Sequence, residues 1–188
     1  MNVMDSFSLR GKVALVTGGA GQYGRQIVAA LAEAGAETYI ASRNTVALEQ
    51  VASEERKKGY KVIAMSLDLT EESSILRLHD EIIGRSGRLD ILVNNAVTRS
   101  ACDGWDHPLE EFDKSLHVNA SALFKITQLF AEDMKKQASG SIINIGSMMG
   151  MVGVEMANYA GTDMNPDPSP IYFYEKGGII NFTRWAAS

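Results

Sequence analysis

Lys12-Val-Ala-Leu-Val-Thr-Gly-Gly-Ala-Gly-Gln-Tyr-Gly24 is the stretch on which the reading of this chain turns. Residues 12–17 form a short, apolar, β-rich run that ends in glycines, the pattern of a strand buried on both faces. Ile27, Val28, Leu31 and Ala32 then recur at helical spacing from Gly24 to Ala34, and Gly35 stops the pattern. The glycines between the two elements permit a sharp turn and leave backbone N–H groups open to an anion at the positive end of the helix. Strand, glycine turn and helix in that order suit a pyrophosphate.

The alternation continues outward. Strands are expected at 38–41, 62–66, 89–94 and 141–145. Helices are expected at 46–58, closed by Gly59, from Thr70 to about Arg85, and from Pro108 to about Gln137, with Gly140 ending the last. Thr70 and Ser73, with acids at 71 and 72, mark the start of the helix that runs to Arg85. Strands alternating with helices imply parallel pairing and right-handed crossovers. The fold class is therefore α/β, a doubly wound, Rossmann-type parallel sheet with helices on both faces and ligands at the carboxyl ends of the strands. Residues 1–188 read as one domain. Only 148–170 breaks the rhythm: it is rich in Met, Gly, Asn and Pro, and prolines 166, 168 and 170 exclude regular helix or central strand there. A loop that long inside a compact domain is usually functional or disordered.

Composition narrows the classes of partner. The chain is 45% hydrophobic and 22% charged, ordinary for a globular protein. A net charge of -5 and a pI near 5.2 leave no basic footprint, which argues against nucleic acid. No apolar run is long enough to span a bilayer, and residues 1–10 lack a secretory pattern. Cys102 is the only cysteine, which excludes an intrachain disulfide and suits a reducing cytosol, so a cytoplasmic location is expected. His79, His107 and His117 lack the spacing of a metal site, read as ordinary helix or loop residues, and no metal is expected.

The second strand ends Ala41-Ser42-Arg43, with no acid to accept from a ribose 2′-hydroxyl. The Arg43 fork suits a 2′-phosphate instead, which favours NADP (NADPH) over NAD and leaves NAD open. A solvated arginine at a strand end is the alternative. Further on, Tyr172-Phe-Tyr-Glu-Lys176 puts a phenol and an ammonium four residues apart, on one face if the segment is helical. A cation held that close to a phenol favours its phenolate and makes it a usable acid or base. Tyr159 is less suited, because the residue four beyond it is the anionic Asp163, and Tyr174 projects to another side of the helix.

These motifs together resemble the short-chain dehydrogenase/reductase family over nearly the whole chain, from about Ser8 to Ser188. The glycine turn 17–24, Asp68, Asn94-Asn95-Ala96, Asn119 and the set Ser147, Tyr172 and Lys176 stand in family order. The resemblance implies an NAD(P)(H)-dependent oxidoreductase that interconverts a carbonyl and a secondary alcohol. It implies that Tyr172 exchanges a proton with the carbonyl oxygen, while Lys176 eases that transfer and holds the nicotinamide ribose. Ser147 would hydrogen-bond the substrate oxygen as charge develops, and Asn119 would hold a water in a proton relay from Lys176. Thr17, Gly18, Gly21, Gln22, Tyr23 and Gly24 would meet the cofactor at the turn, and Ser42 and Arg43 at the end of the second strand. Asp68 and Leu69 would meet the adenine. Asn94, Asn95 and Ala96 would lie along the cofactor with Tyr172 and Lys176, Asn94 also bracing the central strands.

The chain departs from the family pattern in places. Gln22 stands where the commonest pattern has glycine, so the turn follows a Thr-Gly-x-x-Gly-x-x-Gly spacing, and Val97 and Gly146 replace a glycine and a serine. Family members normally continue past the tyrosine helix through two further strands and a substrate-covering segment. The chain is thus expected to be C-terminally incomplete, with its fifth strand left as an edge. The long loop that begins at Ser147 and ends at Tyr172 is the expected substrate selector. It resembles loops of members assigned to sugar-acid metabolism and implies a sugar-derived keto acid or polyol as the small-molecule substrate. Asn158, Thr162, Asp163 and Asn165 would either meet its hydroxyls or satisfy the loop's own backbone. Met148, Met149, Met151 and Met156 would line a pocket or fill irregular gaps. A 3-oxoacyl thioester reductase and a non-catalytic cofactor-binding or partner subunit are the competing readings. Family likeness further implies a homodimer or homotetramer.

Overall fold

Val13–Thr17 is buried at every position and forms β1, the central strand of a five-stranded sheet. The computed structural model describes residues 3–99, 104–106, 108–163 and 169–188. Cys102, His107, Asn165, Pro166 and Pro168 lie outside the described residues. β2 (Glu37–Ser42) pairs parallel with β1 on one side and β3 (Val62–Ser66) pairs beyond it. β4 (Ile91–Asn94) pairs parallel with β1 on the other side, and β5 (Ser141–Asn144) is outermost, giving the order β3-β2-β1-β4-β5. The chain thus winds outward from β1 and then restarts on its far side, so the carboxyl ends of β1 and β4 flank a topological switch point. The expected doubly wound parallel sheet is present.

Six α-helices accompany the strands among the described residues: α1 (Gln22–Glu33), α2 (Thr45–Lys57), α3 (Glu72–Ser86), α4 (Leu109–Leu116), α5 (Leu123–Lys136) and α6 (Pro170–Ala186). The chain packs as two units, Met1–Ala96 with Ala122–Ile143, and Val97–Ser121 with Asn144–Ser188. Period-two alternation explains the core of the first unit. Val13, Leu15, Tyr39 and Leu92 face Ile75, Leu78 and Ile82 of α3 and Ile126 and Phe130 of α5. The alternate residues Ala14, Val16 and Ile40 point the other way, where α1 and α2 bury Val28, Ala32, Leu48 and Val51. In the second unit, α4 and the turn Met148–Gly150 pack on α6.

One carboxylate anchors the start of the central pair. Asp90, 3% exposed, accepts from the Val13 N–H at 2.9 Å, from Arg88 Nε at 3.0 Å and from Lys12 Nζ at 3.2 Å. Burial alone would raise its pKa, but these bonds outweigh it and hold the carboxyl below its ordinary 3.8. A depressed folded pKa gives stability that is present above the unfolded value and lost as pH falls through the folded one. Asp90→Asn is therefore expected to cost about 2–3 kcal/mol near neutral pH. The gap from the parent should shrink below pH 3.8. Urea unfolding at neutral and acid pH checks this, and a gap of constant size would refute it.

Several local expectations are corrected. α3 starts at Glu72 without a side-chain cap, because the Thr70 N–H and hydroxyl both donate to Asp68 Oδ1 instead. β4 begins at Ile91, two residues later than expected; the Leu89 carbonyl accepts from Gln137 Nε2 at 3.0 Å. The stretch read as one helix from 108 is interrupted by a π-helical turn, His117–Ala122. After α5 it is Ala138, at φ 49°, and not Gly140 that takes the left-handed conformation. Pro170 does not exclude helix; it opens α6 at the first position, where its missing N–H costs nothing. His79 is more than an ordinary helix residue: Nε2 meets Asp133 Oδ2 at 2.7 Å, and the ring tilts against Phe130 at 5.1 Å.

Candidate active site

In the first unit the glycine turn closes over the end of β1. Gly18, at φ 68°, donates its N–H to the Ala41 carbonyl at 2.7 Å and accepts from the Gly21 N–H at 3.0 Å. A Cβ on Gly24 would lie 2.2 Å from the Gly18 oxygen, so α1 can approach the turn only with glycine there. α1 begins behind Gly21 with no side-chain cap and no acid in its first turn, which leaves its positive end unneutralised. Gly21, Gln22 and Tyr23 are exposed on its rim. A glycine-lined turn under an uncompensated helix N-terminus fits a pyrophosphate.

Side chains at the end of β4 brace that turn. Thr17 Oγ1 accepts from the N–H groups of Asn95 and Ala96, each at 3.0 Å. Asn95 Nδ2 donates to the carbonyls of Thr17 at 2.9 Å and Gly18 at 3.2 Å. The Asn95 amide is thus committed to the turn, while Asn94 is buried and donates to Thr127 Oγ1 at 3.0 Å. Hydrogen bonds from the Thr70 N–H and hydroxyl hold the Asp68 carboxyl below its ordinary range; burial works weakly against them, and the Arg43 charge adds to them. Leu69 packs on the core, Ser42 is half-buried and Arg43 is exposed beyond β2.

The second unit gathers Ser147, Tyr172, Lys176 and Asn119. On α6, Lys176 Nζ lies 5.8 Å from the centroid of the Tyr172 ring and donates to the Ile145 carbonyl at 2.6 Å. Burial pushes the Lys176 ammonium below the ordinary lysine range; the Glu175 charge opposes that shift and the Arg99 charge adds to it. Ser147 Oγ accepts from the Met149 N–H at 3.2 Å and so caps the turn Met148–Gly150. That turn sits hard against α6, since a Cβ on Gly150 would lie 2.3 Å from the Lys176 carbonyl oxygen. Tyr174 is exposed and stands edge-on to Phe112 at 5.9 Å.

Asn119 sits in the π turn with its side chain fully engaged. Oδ1 accepts from the Thr98 N–H at 2.9 Å. Nδ2 donates to the Thr98 carbonyl at 2.9 Å, to Ser115 Oγ at 3.2 Å and to Glu175 Oε2 at 2.8 Å. The last partner is one that motif reading missed. Its signal was an acidic residue lodged between Tyr172 and Lys176, in a stretch from Pro170 to Ile180 where Lys176 is the only other charged residue.

In the loop after Ser147, the Thr162 hydroxyl serves the loop itself, donating to the Tyr159 carbonyl at 2.9 Å, whereas Asn158 and Asp163 are exposed. Met148, Met151 and Met156 are also exposed and fill no gap. Among the described residues no group of three or more His, Cys, Asp or Glu side chains could hold a metal ion, and no helix is long and apolar enough to cross a membrane.

The family model described as short chain dehydrogenase matches residues 12–162. The short chain dehydrogenase/reductase dpchG of Colletotrichum higginsianum is 35% identical over 188 residues, 98% of this chain and 65% of that protein. The 2-dehydro-3-deoxy-D-gluconate 5-dehydrogenase of Bacillus subtilis is 33% identical over 189 residues, 98% of this chain and 69% of that protein. This chain therefore spans about two thirds of the length of these relatives. A short-chain type dehydrogenase/reductase from Mycobacterium marinum superposes with a TM-score of 0.86 at 32% identity, covering 98% of this chain and 71% of that one. A 7α-hydroxysteroid dehydrogenase complexed with NADH and 7-oxo glycochenodeoxycholic acid gives 0.83 at 28% identity, covering 97% and 66%. A metagenomic short-chain oxidoreductase in complex with NADP gives 0.82 at 27% identity, covering 95% and 76%.

Proposed function

The chain belongs to the short-chain dehydrogenase family, and from that premise we propose that it carries the catalytic set of an NADP(H)-dependent oxidoreductase. It interconverts a carbonyl and a secondary alcohol on a sugar-derived keto acid or polyol. The observation that carries the reading is the pairing on α6, where a half-buried ammonium is pinned by the Ile145 carbonyl 5.8 Å from the Tyr172 ring centroid.

The nicotinamide, when bound, supplies or takes up the hydride. The residues of this chain handle binding, protons and charge. The turn from Gly18 to Gly24 holds the pyrophosphate, and Arg43 pairs with a 2′-phosphate at the exposed end of β2. In reduction, Tyr172 Oη gives its proton to the carbonyl oxygen, and the Lys176 charge stabilises the phenolate that remains. The Ser147 oxygen already accepts from Met149, which leaves its O–H free to donate to the substrate oxygen as negative charge grows. The Asn119 amide is committed to Thr98, Ser115 and Glu175, so a relay water is held by backbone of the π turn and not by that side chain. A π turn suits this, because its i→i+5 pattern takes a carbonyl out of the helical ladder.

The exposed polar groups of Asn158 and Asp163, and the relative that acts on 2-dehydro-3-deoxy-D-gluconate, support a hydroxyl-rich substrate. Cofactor absorbance followed with keto sugar acids, ketosteroids and 3-oxoacyl thioesters tests the reading. Turnover is expected on the keto sugar acids, with kcat/KM at least about ten-fold higher for NADPH than for NADH. No turnover across the panel would refute the oxidoreductase. A preference for thioesters would replace the substrate class, and a preference for NADH would remove the phosphate role of Arg43.

A further inference from the structure

Glu175 is a costly residue to bury. It is 8% exposed, and Oε1 is buried without a hydrogen-bond partner among the described residues. Burial pushes its carboxyl above the ordinary 4.5, against the hydrogen bonds from Ser115 and Asn119 and the charge of Lys176. An apolar side chain of similar size would serve packing better. Nor does Asn119 need Glu175 for satisfaction, since Nδ2 also has the Thr98 carbonyl and Ser115 Oγ within reach. What the carboxyl adds is a connection. Its 2.8 Å bond to Asn119 joins the π turn His117–Ala122 to the single helical turn of α6 that carries Tyr172 and Lys176.

We propose that Glu175 is a positioning residue: by gripping the Asn119 amide it holds the π turn, and the relay carbonyl that turn presents, in register with the Lys176 ammonium. The role rests on the oxidoreductase reading above. Glu175 touches neither substrate nor cofactor. It acts through Asn119, and a misplacement of about 1 Å in such a relay costs on the order of 100-fold in rate.

The test compares Glu175→Ala, Glu175→Gln, Asn119→Ala and the double alanine variant by steady-state turnover and by coenzyme binding. Glu175→Ala is expected to lower kcat about 10- to 100-fold with coenzyme Kd within about two-fold of the parent. Glu175→Gln keeps an amide oxygen for Asn119 and should retain kcat within about three-fold. The double variant should be no slower than Asn119→Ala alone, because one residue works through the other. A parent-like kcat for Glu175→Ala, or a double variant whose loss is the product of the two single losses, would overturn the role. Should Glu175→Ala also lose coenzyme binding, Glu175→Gln decides: near-parent kcat supports the role, and a loss of about ten-fold overturns it. A parent without turnover overturns the oxidoreductase reading and this role with it. An active parent with parent-like variants overturns the role alone.

Discussion

Tyr172→Phe is expected to lower kcat by about 1,000-fold or more while leaving NADPH affinity within about two-fold. The substitution removes one oxygen and little else. The ring keeps its place 5.8 Å from Lys176 Nζ and its edge contact with Phe173 at 6.4 Å, and Lys176 keeps its bond to the Ile145 carbonyl. Binding and packing are therefore preserved, and the loss falls on the proton transfer. Tyr174→Phe is the matched control. That ring is exposed, its contact with Phe112 survives the change, and its rate should stay at the parent level. Single-turnover rates with fluorescence titration of coenzyme separate the two effects. Comparable rates for Tyr172→Phe and the parent would remove the proton donor and leave the ammonium without its proposed task.

The sheet was legible because its signals are local. β1 reads as an unbroken apolar run since both faces are covered, and the turn after it needs glycine for reasons a few residues can state. Tyr172 and Lys176 were legible for the same reason, one helical turn being a short-range relation. The misreadings came where a partner from elsewhere decided the outcome. Thr70 lost its capping role to Asp68, two residues away but outside the helix. Gly140 looked like a helix stop, yet its lack of a Cβ serves a close approach by Met134, whose Cγ and Sδ would lie 2.4 Å from an added methyl. The π turn went unread because His117–Ala122 contains no glycine or proline, so nothing in those residues marks a break in the helix. The grip of Glu175 on Asn119 joins residues 56 apart, and no spacing rule reaches that far.

Gly24→Ala is expected to weaken NADPH binding by about 100-fold or more and to lower the unfolding midpoint. The added methyl would meet only backbone: the Gly18 oxygen at 2.2 Å, the Gly18 carbonyl carbon at 3.0 Å and the Gly19 Cα at 3.0 Å. No side chain can swing away to make room, so the turn or the start of α1 must move. The Gly18 carbonyl is also the acceptor for the Gly21 N–H and for Asn95 Nδ2, so moving it loosens both braces at once. Overpacking of this kind costs about 1–3 kcal/mol in stability, while a displaced helix end no longer aims its N–H groups at the pyrophosphate. Gly21→Ala is the discriminating control. Its φ is −70° and its Cβ would sit 3.2 Å from the same oxygen, a contact relieved by a few tenths of an ångström. It should weaken binding by no more than about five-fold. Calorimetric titration of NADPH, with circular dichroism to confirm retained folding, measures both. Parent affinity in Gly24→Ala would mean that the coenzyme is not held by this turn. The opposite pattern, lost affinity here and retained affinity in Tyr172→Phe, would separate binding from chemistry as the glycine turn and the tyrosine helix predict.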